Sequence, residues 1–306
     1  MLRFAAWRVL GAVPTLFVLV ALSFFLMRAA PGGPFDTEKS LPPEIEASLE
    51  RAYHLDEPLW RQFGHYVAGL ARGDFGPSFQ YRDYRVSELI AAGFPVSLKL
   101  GALAMLLAVA AGVATGAVAA LHRNRAPDHA AMTAAMTGIS VPSFVMAPFL
   151  VLVFAIHLDW LPAGGLSGAA SYVLPVVTLA LPQIAWIARL TRASLIDVLS
   201  SDFIRTARAK GLPERTVLLR HALKPALLPV MSYLGPATAA LITGSVVIEQ
   251  IFGVPGLGRY FVQGALNRDY TLVMGVVIFY GVIILALNLV VDLAYGLLDP
   301  RVRHGD

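Results

Sequence analysis

The chain has 306 residues, of which 57% are hydrophobic and 14% charged, with a formal net charge of +4 and no cysteine. Soluble domains carry about 25% charged residues, so this composition excludes an ordinary water-soluble domain and favours a helical membrane protein. The missing cysteines exclude disulfides, thiolate metal sites and a cysteine nucleophile. In a membrane protein an excess of Lys and Arg indicates topology, and we expect no nucleic-acid partner.

Six apolar stretches are long enough for the roughly 20 residues that cross a bilayer. The predicted spans are 9–27, 95–121, 130–157, 172–195, 226–250 and 271–297. The apolar run of the first is longer than the core of a signal peptide, which favours a retained span. The predicted fold class is therefore an all-α polytopic membrane protein with six transmembrane helices.

Basic residues cluster in the short segments on one side of these spans. They precede span one, follow spans two and six, and fill the segment after span four. The positive-inside rule makes that side cytoplasmic, so both termini are expected inside. The chain then divides into an N-terminal span (1–30), an external segment (31–94) and a core of five spans (95–306).

The external segment has the pattern of a folded helical unit. One short helix is predicted to start at Pro43, and a second after Asp56, which can cap it, with Pro58 in its first turn. Apolar residues recur at helical spacing along the second helix, and Gly73 is a plausible end. They are Leu59, Phe63, Tyr66, Val67 and Leu70. Two interpretations stay open: a lid packed on the outer ends of the spans, or a contact for an external partner.

Spans three to five carry prolines, which kink helices and suit a bundle with a cavity. They are Pro142, Pro148, Pro175, Pro182 and Pro236. Span five also carries uncharged polar residues that are candidates for a translocation pathway. They are Tyr233, Thr238, Thr243 and Ser245. Hydrogen bonding between helices explains them equally well.

Two further features of the spans allow predictions about packing and exposure. Glu249 lies at the outer end of span five and is expected to be solvated. The sequence GVATG at Gly112–Gly116 has the small-xxx-small pattern, which predicts a close approach between two helices.

Catalytic motifs are missing from the sequence. It has no G-x-x-x-x-G-K-[ST] and no H-E-x-x-H. The sequence GLSG at 165–168 resembles the nucleophile motif of rhomboid-type intramembrane proteases, but span six has no histidine that could act as the base. We therefore predict no enzyme, no metal site and no cofactor in this chain.

The stretch DFIRTARAKGLPERTVLLRHALKPALLP, residues 202–229, is strongly basic and lies between two spans. Ser200 or Ser201 can cap a short helix through Lys210, and Gly211 occupies the place of a C-terminal glycine. Pro213 can begin a second helix. The sequence predicts a helix, a glycine turn and a helix on the cytoplasmic side. From the residues alone, an amphipathic segment on anionic lipid is an alternative.

This stretch resembles the cytoplasmic EAA loop of ABC importer permease subunits. Arginine replaces the acidic residue of the general pattern, and RTARAKGLP is similar to the variant of the peptide/nickel branch. Further pieces of the chain are similar to the same branch. They are PTLFVLVALSFFLMRAAPGGPF (14–35), GDFGPSF (73–79), AMTGISVPSFVMAP (135–148), EQIFGVPGLGRYFVQGALNRDY (249–270) and DPR (299–301). The resemblance covers nearly the whole chain and points to the B-type permease subunits of bacterial oligopeptide importers.

The resemblance implies a type I ABC importer permease fold in the bacterial inner membrane, as a non-catalytic half of a pore for oligopeptides. It implies four partners: a homologous C permease subunit, two ATPase subunits that bind ATP and Mg, and an external peptide-binding protein. A nickel chelate, glutathione or dipeptide importer is an alternative, as is an ion-coupled secondary transporter.

The resemblance also implies which residues carry the function. The implied ATPase coupling loop is 196–225. Its candidate residues are Phe203, Arg205, Thr206, Ala207, Arg208, Lys210, Gly211 and Arg215. An external loop near the pore mouth would contain Glu249, Pro255, Gly256 and Gly258.

Overall fold

A computed structural model describes residues 2–29, 55–81 and 83–298, together with the single positions Glu44 and Ser48. The helices are α1 (Leu2–Ala29), α2 (Leu59–Leu70), α3 (Val86–Leu121), α4 (Ala126–Ser140), α5 (Ser143–Leu150), α6 (Val173–Leu199), α7 (Asp202–Ala209), α8 (Glu214–Thr216), α9 (Leu223–Ala226), α10 (Leu228–Gly244), α11 (Val246–Ile251), α12 (Leu257–Leu266) and α13 (Tyr270–Leu298). The π-helical segments Val151–His157 and Val217–Ala222 extend α5 and join α8 to α9. A 3-10 turn, Ala169–Tyr172, leads into α6. The all-α prediction is confirmed.

The described residues contain five helices that are long and apolar enough to cross a membrane, or six spans if the bent pair α4 and α5 forms one. The five are Leu10–Ala29, Val86–Leu121, Ala169–Leu199, Leu228–Ile251 and Tyr270–Val291. All five lie where spans were predicted. The second begins at Val86 rather than at Pro95, so the end of the predicted external segment belongs to this helix.

The third predicted span, 130–157, is not one straight helix. α4 ends at Ser140 and α5 begins at Ser143, with a bend of 104° between them. Val141 between them is extended, with φ −101° and ψ 121°. The ring of Pro142 disfavours a helical conformation in the residue before it and removes a backbone donor. The prediction of a kink at Pro142 inside a helix was therefore wrong, because the helix is interrupted there.

Met1–Val96 and Pro255–Ala286 form one compact unit, in which α2 packs on α1. The rings of Phe24 and Phe63 meet edge to face, with centroids 5.2 Å apart. The shared cluster contains Val20, Phe24, Tyr270, Met274 and Ile278, with Phe63, Tyr66, Val67 and Leu70 packed against it. This burial of the α2 stripe favours the interpretation as a lid.

Three details of the predicted external segment differ or remain outside the described residues. Leu59 belongs to the predicted apolar stripe but is 49% exposed. The predicted cap by Asp56 is wrong, because Pro58 occupies the N-cap position of α2 and no side chain caps that helix. The short helix predicted at Pro43 lies outside the described residues, apart from Glu44 and Ser48.

A buried carboxylate in the same unit joins the loop before α3 to the start of α13. Asp269 is fully buried, and its Oδ2 accepts hydrogen bonds from Ser78 Oγ (2.5 Å) and from the backbone N–H groups of Phe79 (3.1 Å) and Gln80 (3.2 Å). Its Oδ1 accepts from Thr271 Oγ1 and from the Leu272 N–H, in the first turn of α13. One side chain thus orders two segments far apart in sequence.

Replacing Asp269 with asparagine should destabilise the chain by about 1–3 kcal/mol, since buried donors lose a charged acceptor and the new amide group points at donors. The measurement is denaturant unfolding of the purified chain in detergent. Asp83→Asn is the matched control, because Asp83 is an exposed carboxylate in the same loop. Equal stability of the two variants would contradict a structural role for Asp269.

Ser97–Val254 and Leu287–Asp306 form a second compact unit, in which α3 packs closely on α6. A Cβ atom at Gly116 would lie 2.5 Å from the Ala188 carbonyl oxygen, and one at Gly112 would lie 2.8 Å from the Ile187 side chain. Contacts this short require glycine. The predicted close approach at Gly112–Gly116 is therefore confirmed. The predicted division of the chain into 1–30, 31–94 and 95–306 concerns membrane topology and stays a prediction.

Candidate functional site

The predicted glycine turn is present between α7 and α8. Gly211 has φ +73°, and its N–H donates to the Arg208 carbonyl at 2.9 Å. A Cβ atom there would have open space around it, so conformation alone demands glycine. Ser201 occupies the N-cap position of α7, as predicted, but its hydroxyl donates to the Val198 carbonyl at 2.6 Å and caps no N–H.

The second half of the segment is helical, as predicted, and its helix continues further than one short element. α8 starts at Glu214, directly after Pro213, and continues through the π-helical stretch and α9 toward α10. Residues 214–226 thus form one continuous helical arm, which leads from the Gly211 turn to the fifth predicted span. Across the turn, Arg208 donates from Nε and Nη2 to the two carboxylate oxygens of Glu214 at 2.8 and 3.2 Å. Arg205 pairs with Asp202 within α7.

One face of α7 is buried in the second unit. Ile204 and Ala207 pack in a cluster with Leu195 at the end of α6 and with Val217 in the helical arm. Ala207 is therefore an anchoring residue and does not belong to the outward surface. Phe203, a candidate residue of the coupling loop, is 50% exposed.

The remaining candidate residues of the segment are exposed on its outer side. They are Arg205, Thr206, Arg208, Lys210, Gly211 and Arg215. With Phe203 they give the segment an exposed surface that is mostly basic and includes one aromatic side chain. We call these seven exposed residues the outer coupling surface.

An ion pair that the sequence analysis missed lies close to this segment. Arg192 of α6 donates from Nε and Nη2 to the two oxygens of Asp128, each at 2.7 Å. The Asn124 N–H adds a third donor at 2.8 Å. The Asp128 side chain is 2% exposed and that of Arg192 29%. The pair joins the first turn of α4 to α6. Arg192 lies about one helical turn before Leu195, which packs on the buried face of α7.

The four candidate pathway residues have different environments. The Tyr233 hydroxyl donates to Gln183 Oε1 at 2.6 Å, and both Tyr233 and Thr238 are half-buried. Thr243 donates to the Ala239 carbonyl of its own helix at 2.8 Å. Ser245 is fully buried and donates to Glu249 Oε1 at 2.5 Å. Ser245 thus belongs to the interior, whereas Tyr233 and Thr238 retain accessible surface.

Glu249 is fully buried, so the prediction of a solvated carboxylate was wrong. Its Oε1 accepts from Ser97 Oγ of α3 at 2.7 Å and from Ser245 Oγ. Ser97 was missed, because nothing in the sequence connects two positions so far apart. Of the other residues predicted near a pore mouth, Pro255 is exposed, while Gly256 and Gly258 are buried. No cluster of three metal-ligating side chains occurs within the described ranges.

Comparison with known sequences gives matches over nearly the whole chain. Residues 112–304 match the family described as "Binding-protein-dependent transport system inner membrane component". Residues 1–101 match the N-terminal family of the same membrane components. The chain belongs to this family. It is therefore a multi-pass inner membrane component of a binding-protein-dependent transport system.

Characterised members of the family are similar to the chain along their full length. The "Oligopeptide transport system permease protein OppB" of Salmonella typhimurium is 56% identical over 99% of this chain and 100% of its own. The "Dipeptide transport system permease protein DppB" of Bacillus subtilis is 44% identical over 99% and 98%. The "Glutathione transport system permease protein GsiC" of Shigella flexneri is 40% identical over 99% and 100%.

Solved structures support the fold of this membrane component. A chain of the MetNI methionine ABC transporter in an inward-facing conformation matches with a TM-score of 0.55 and 16% identity, over 69% of this chain and 96% of its own. A chain of an amino acid ABC transporter matches with a TM-score of 0.54 and 18% identity, over 68% and 94%. At these identities the likeness concerns the fold alone.

Proposed function

We propose that the chain is the permease subunit of an ATP-driven importer that carries oligopeptides across the bacterial inner membrane. The observation that carries this proposal is the 56% identity to oligopeptide permeases over the full length of both chains. The dipeptide and glutathione permeases are less similar, at 44% and 40%. Because they belong to the same family, dipeptides and glutathione are the competing solutes, with nickel chelates as a further one.

The proposed complex contains four partner subunits of three kinds besides this chain. A homologous C permease subunit would complete the pore, two ATPase subunits would hydrolyse ATP, and an external binding protein would deliver the peptide. The chain itself is proposed to be non-catalytic and to need no cofactor, with ATP and Mg bound by the ATPases. Both termini would then lie in the cytoplasm.

The proposed ATPase contact is the outer coupling surface. It is exposed and basic, and it contains one exposed aromatic side chain, Phe203. An exposed aromatic residue surrounded by polar groups is typical of an anchor that inserts into a partner's pocket. The charged residues around it would contribute more to orientation and association rate than to affinity.

The packing behind this surface suggests how a displacement would reach the spans. Ile204 and Ala207 press against Leu195 of α6, and Val217 links the same cluster to the helical arm before α10. The Arg208–Glu214 bridge and the conformation of Gly211 hold the two sides of the turn together. Closely packed interiors transmit strain, so a movement of α7 would move the cytoplasmic ends of α6 and of the arm.

Complementation tests the proposed function. The test strain lacks its own oligopeptide permease and cannot make one amino acid, which is supplied only within a tripeptide. It should grow when this chain is expressed with its partner subunits. Dipeptide and glutathione uptake, measured in parallel, distinguishes the solutes. Growth on glutathione alone would reject the oligopeptide assignment and keep the importer. Uptake that follows an ion gradient without ATP would reject the importer and favour a secondary transporter.

Cysteine labelling tests the proposed topology, and the chain suits it because it contains no cysteine of its own. Single cysteines at Arg125 and Glu214 should resist an impermeant thiol reagent in intact cells, since both would face the cytoplasm. A cysteine at Glu46, in the external segment, should react. Lysed cells, in which all three should react, are the control. Labelling at position 214 in intact cells would contradict the arrangement.

Leucine substitutions distinguish pathway residues from packing residues in span five. Thr238→Leu and Tyr233→Leu should reduce peptide uptake severalfold while leaving complex assembly nearly unchanged, because both positions retain accessible surface. Ser245→Leu should reduce assembly itself, because the side chain is buried and bonded to Glu249. Co-purification and uptake are measured for each variant. Normal uptake by both Thr238→Leu and Tyr233→Leu would place the pathway elsewhere.

A further inference from the structure

An apolar groove in the second unit lies outside everything assigned above. It has a volume of about 440 Å³ and runs between α3, α4 and α6. Its walls include Ala114 and Val118 of α3, Ala131 and Ala134 of α4, and Ile184 of α6. Alanines on two facing helices leave the space open, and Val118 and Ala134 are exposed along it.

The groove lies next to a basic loop. Val118 is four residues before His122, which is about one helical turn, and α4 begins directly after Arg125. Arg123 and Arg125 in this loop are both exposed. His122 and His129 on either side are exposed as well. An apolar cleft and a cationic surface thus adjoin at the same end of α3 and α4.

The positive charge of this loop is not neutralised by the acid nearest to it in sequence. Asp128 is buried, and its oxygens accept from Arg192 and from the Asn124 N–H. No carboxylate within the described ranges forms an ion pair with Arg123 or Arg125. The loop therefore offers two arginine side chains to an anion.

We infer that this groove and loop bind an anionic phospholipid, with an acyl chain in the groove and the phosphate at Arg123 and Arg125. Basic pockets between transmembrane helices are suited to anionic headgroups, and arginine donates two parallel hydrogen bonds to phosphate. A lipid fits better than an apolar partner helix, because the two exposed arginines beside the groove match its phosphate. A lipid can also occupy the groove directly from the surrounding bilayer, without a further protein partner.

Native mass spectrometry of the full chain in detergent tests this site, with phosphatidylglycerol and phosphatidylcholine of equal chain length as the two probes. The chain should retain phosphatidylglycerol in preference. The double variant Arg123→Gln/Arg125→Gln should bind phosphatidylglycerol at least tenfold more weakly. Each basic side chain near an anionic surface contributes about fivefold to such binding. Ala134→Phe should weaken both lipids, because Ala134 is exposed and a larger side chain there fills the groove without disturbing the core.

Arg220→Gln is the matched control, because Arg220 is exposed but does not line the groove, so its removal should leave retention unchanged. Equal retention of the two lipids, or an equal effect of Arg220→Gln and the double variant, would overturn the inference. If Ala134→Phe keeps its lipid but no longer co-purifies with a second permease subunit, the groove is a subunit contact and the lipid site is refuted.

Discussion

Gly211→Val should reduce ATP-coupled peptide uptake by tenfold or more while leaving the chain in the membrane. Gly211 has φ +73°, a conformation that costs residues other than glycine roughly 1–2 kcal/mol, and more for a β-branched side chain. The space around it is open, so the valine side chain itself fits. The chain can relieve the strain only by changing φ, and this reorients α7 relative to the helical arm and breaks the Arg208–Glu214 bridge.

A graded series separates this conformational effect from bulk. Asparagine tolerates positive φ better than other non-glycine residues, so uptake should fall in the order Gly211, Gly211→Asn, Gly211→Ala and Gly211→Val. Gly168→Val is the control, because Gly168 is exposed with open space around it but has φ 174°, which any residue adopts. Peptide uptake, ATP hydrolysis and ATPase co-purification are measured on the reconstituted complex. Full uptake and full ATPase association by Gly211→Val would show that this segment is not the coupling element.

Arg192→Gln should destabilise the chain by about 3 kcal/mol. The substitution leaves the Asp128 carboxylate buried without its bidentate cation. Removing one partner of a buried ion pair costs about 3–5 kcal/mol, and the 29% exposure of Arg192 places the expected loss at the lower end. Because the pair joins α4 to α6, the loss should appear in assembly of the chain and in its unfolding in detergent.

A double-mutant cycle tests whether the pairing is the cause. Asp128→Asn/Arg192→Gln removes both charges, so it should be more stable than Arg192→Gln alone, with a coupling energy above about 1 kcal/mol. Arg189→Gln is the matched control, since Arg189 lies on the same helix with its guanidinium over the Trp186 ring, 5.4 Å from the centroid. Additive effects of the two substitutions would contradict a direct interaction.

Local signals in the sequence predicted a large part of this structure. Long apolar runs placed the spans, because the bilayer requires a minimum length of apolar helix. The Gly211 turn was predictable, because a glycine that ends one helix and a proline that begins the next are both local signals. The close approach at Gly112 and Gly116 followed from spacing alone, and the geometry there confirms it.

The errors concern features that depend on distant residues. Glu249 is buried because two serines, one of them Ser97 on another helix, donate to it. Asp269 was not singled out, because the segment from Ser78 to Gln80 that donates to it is about 190 residues away in sequence. A proline pattern also does not distinguish a kink from a break, so the bend at Pro142 required the structure.

ATP-dependent peptide uptake into proteoliposomes tests the central claim most directly. The vesicles would contain this chain, a homologous permease subunit and the two ATPases, with the peptide-binding protein supplied outside and ATP sealed inside. We predict accumulation of a radiolabelled oligopeptide that requires ATP, the binding protein and this chain, and that persists when ion gradients are collapsed. Accumulation that is equal in vesicles lacking this chain, or that continues without ATP and stops with the ion gradient, would contradict its role as the permease subunit of an ATP-driven importer.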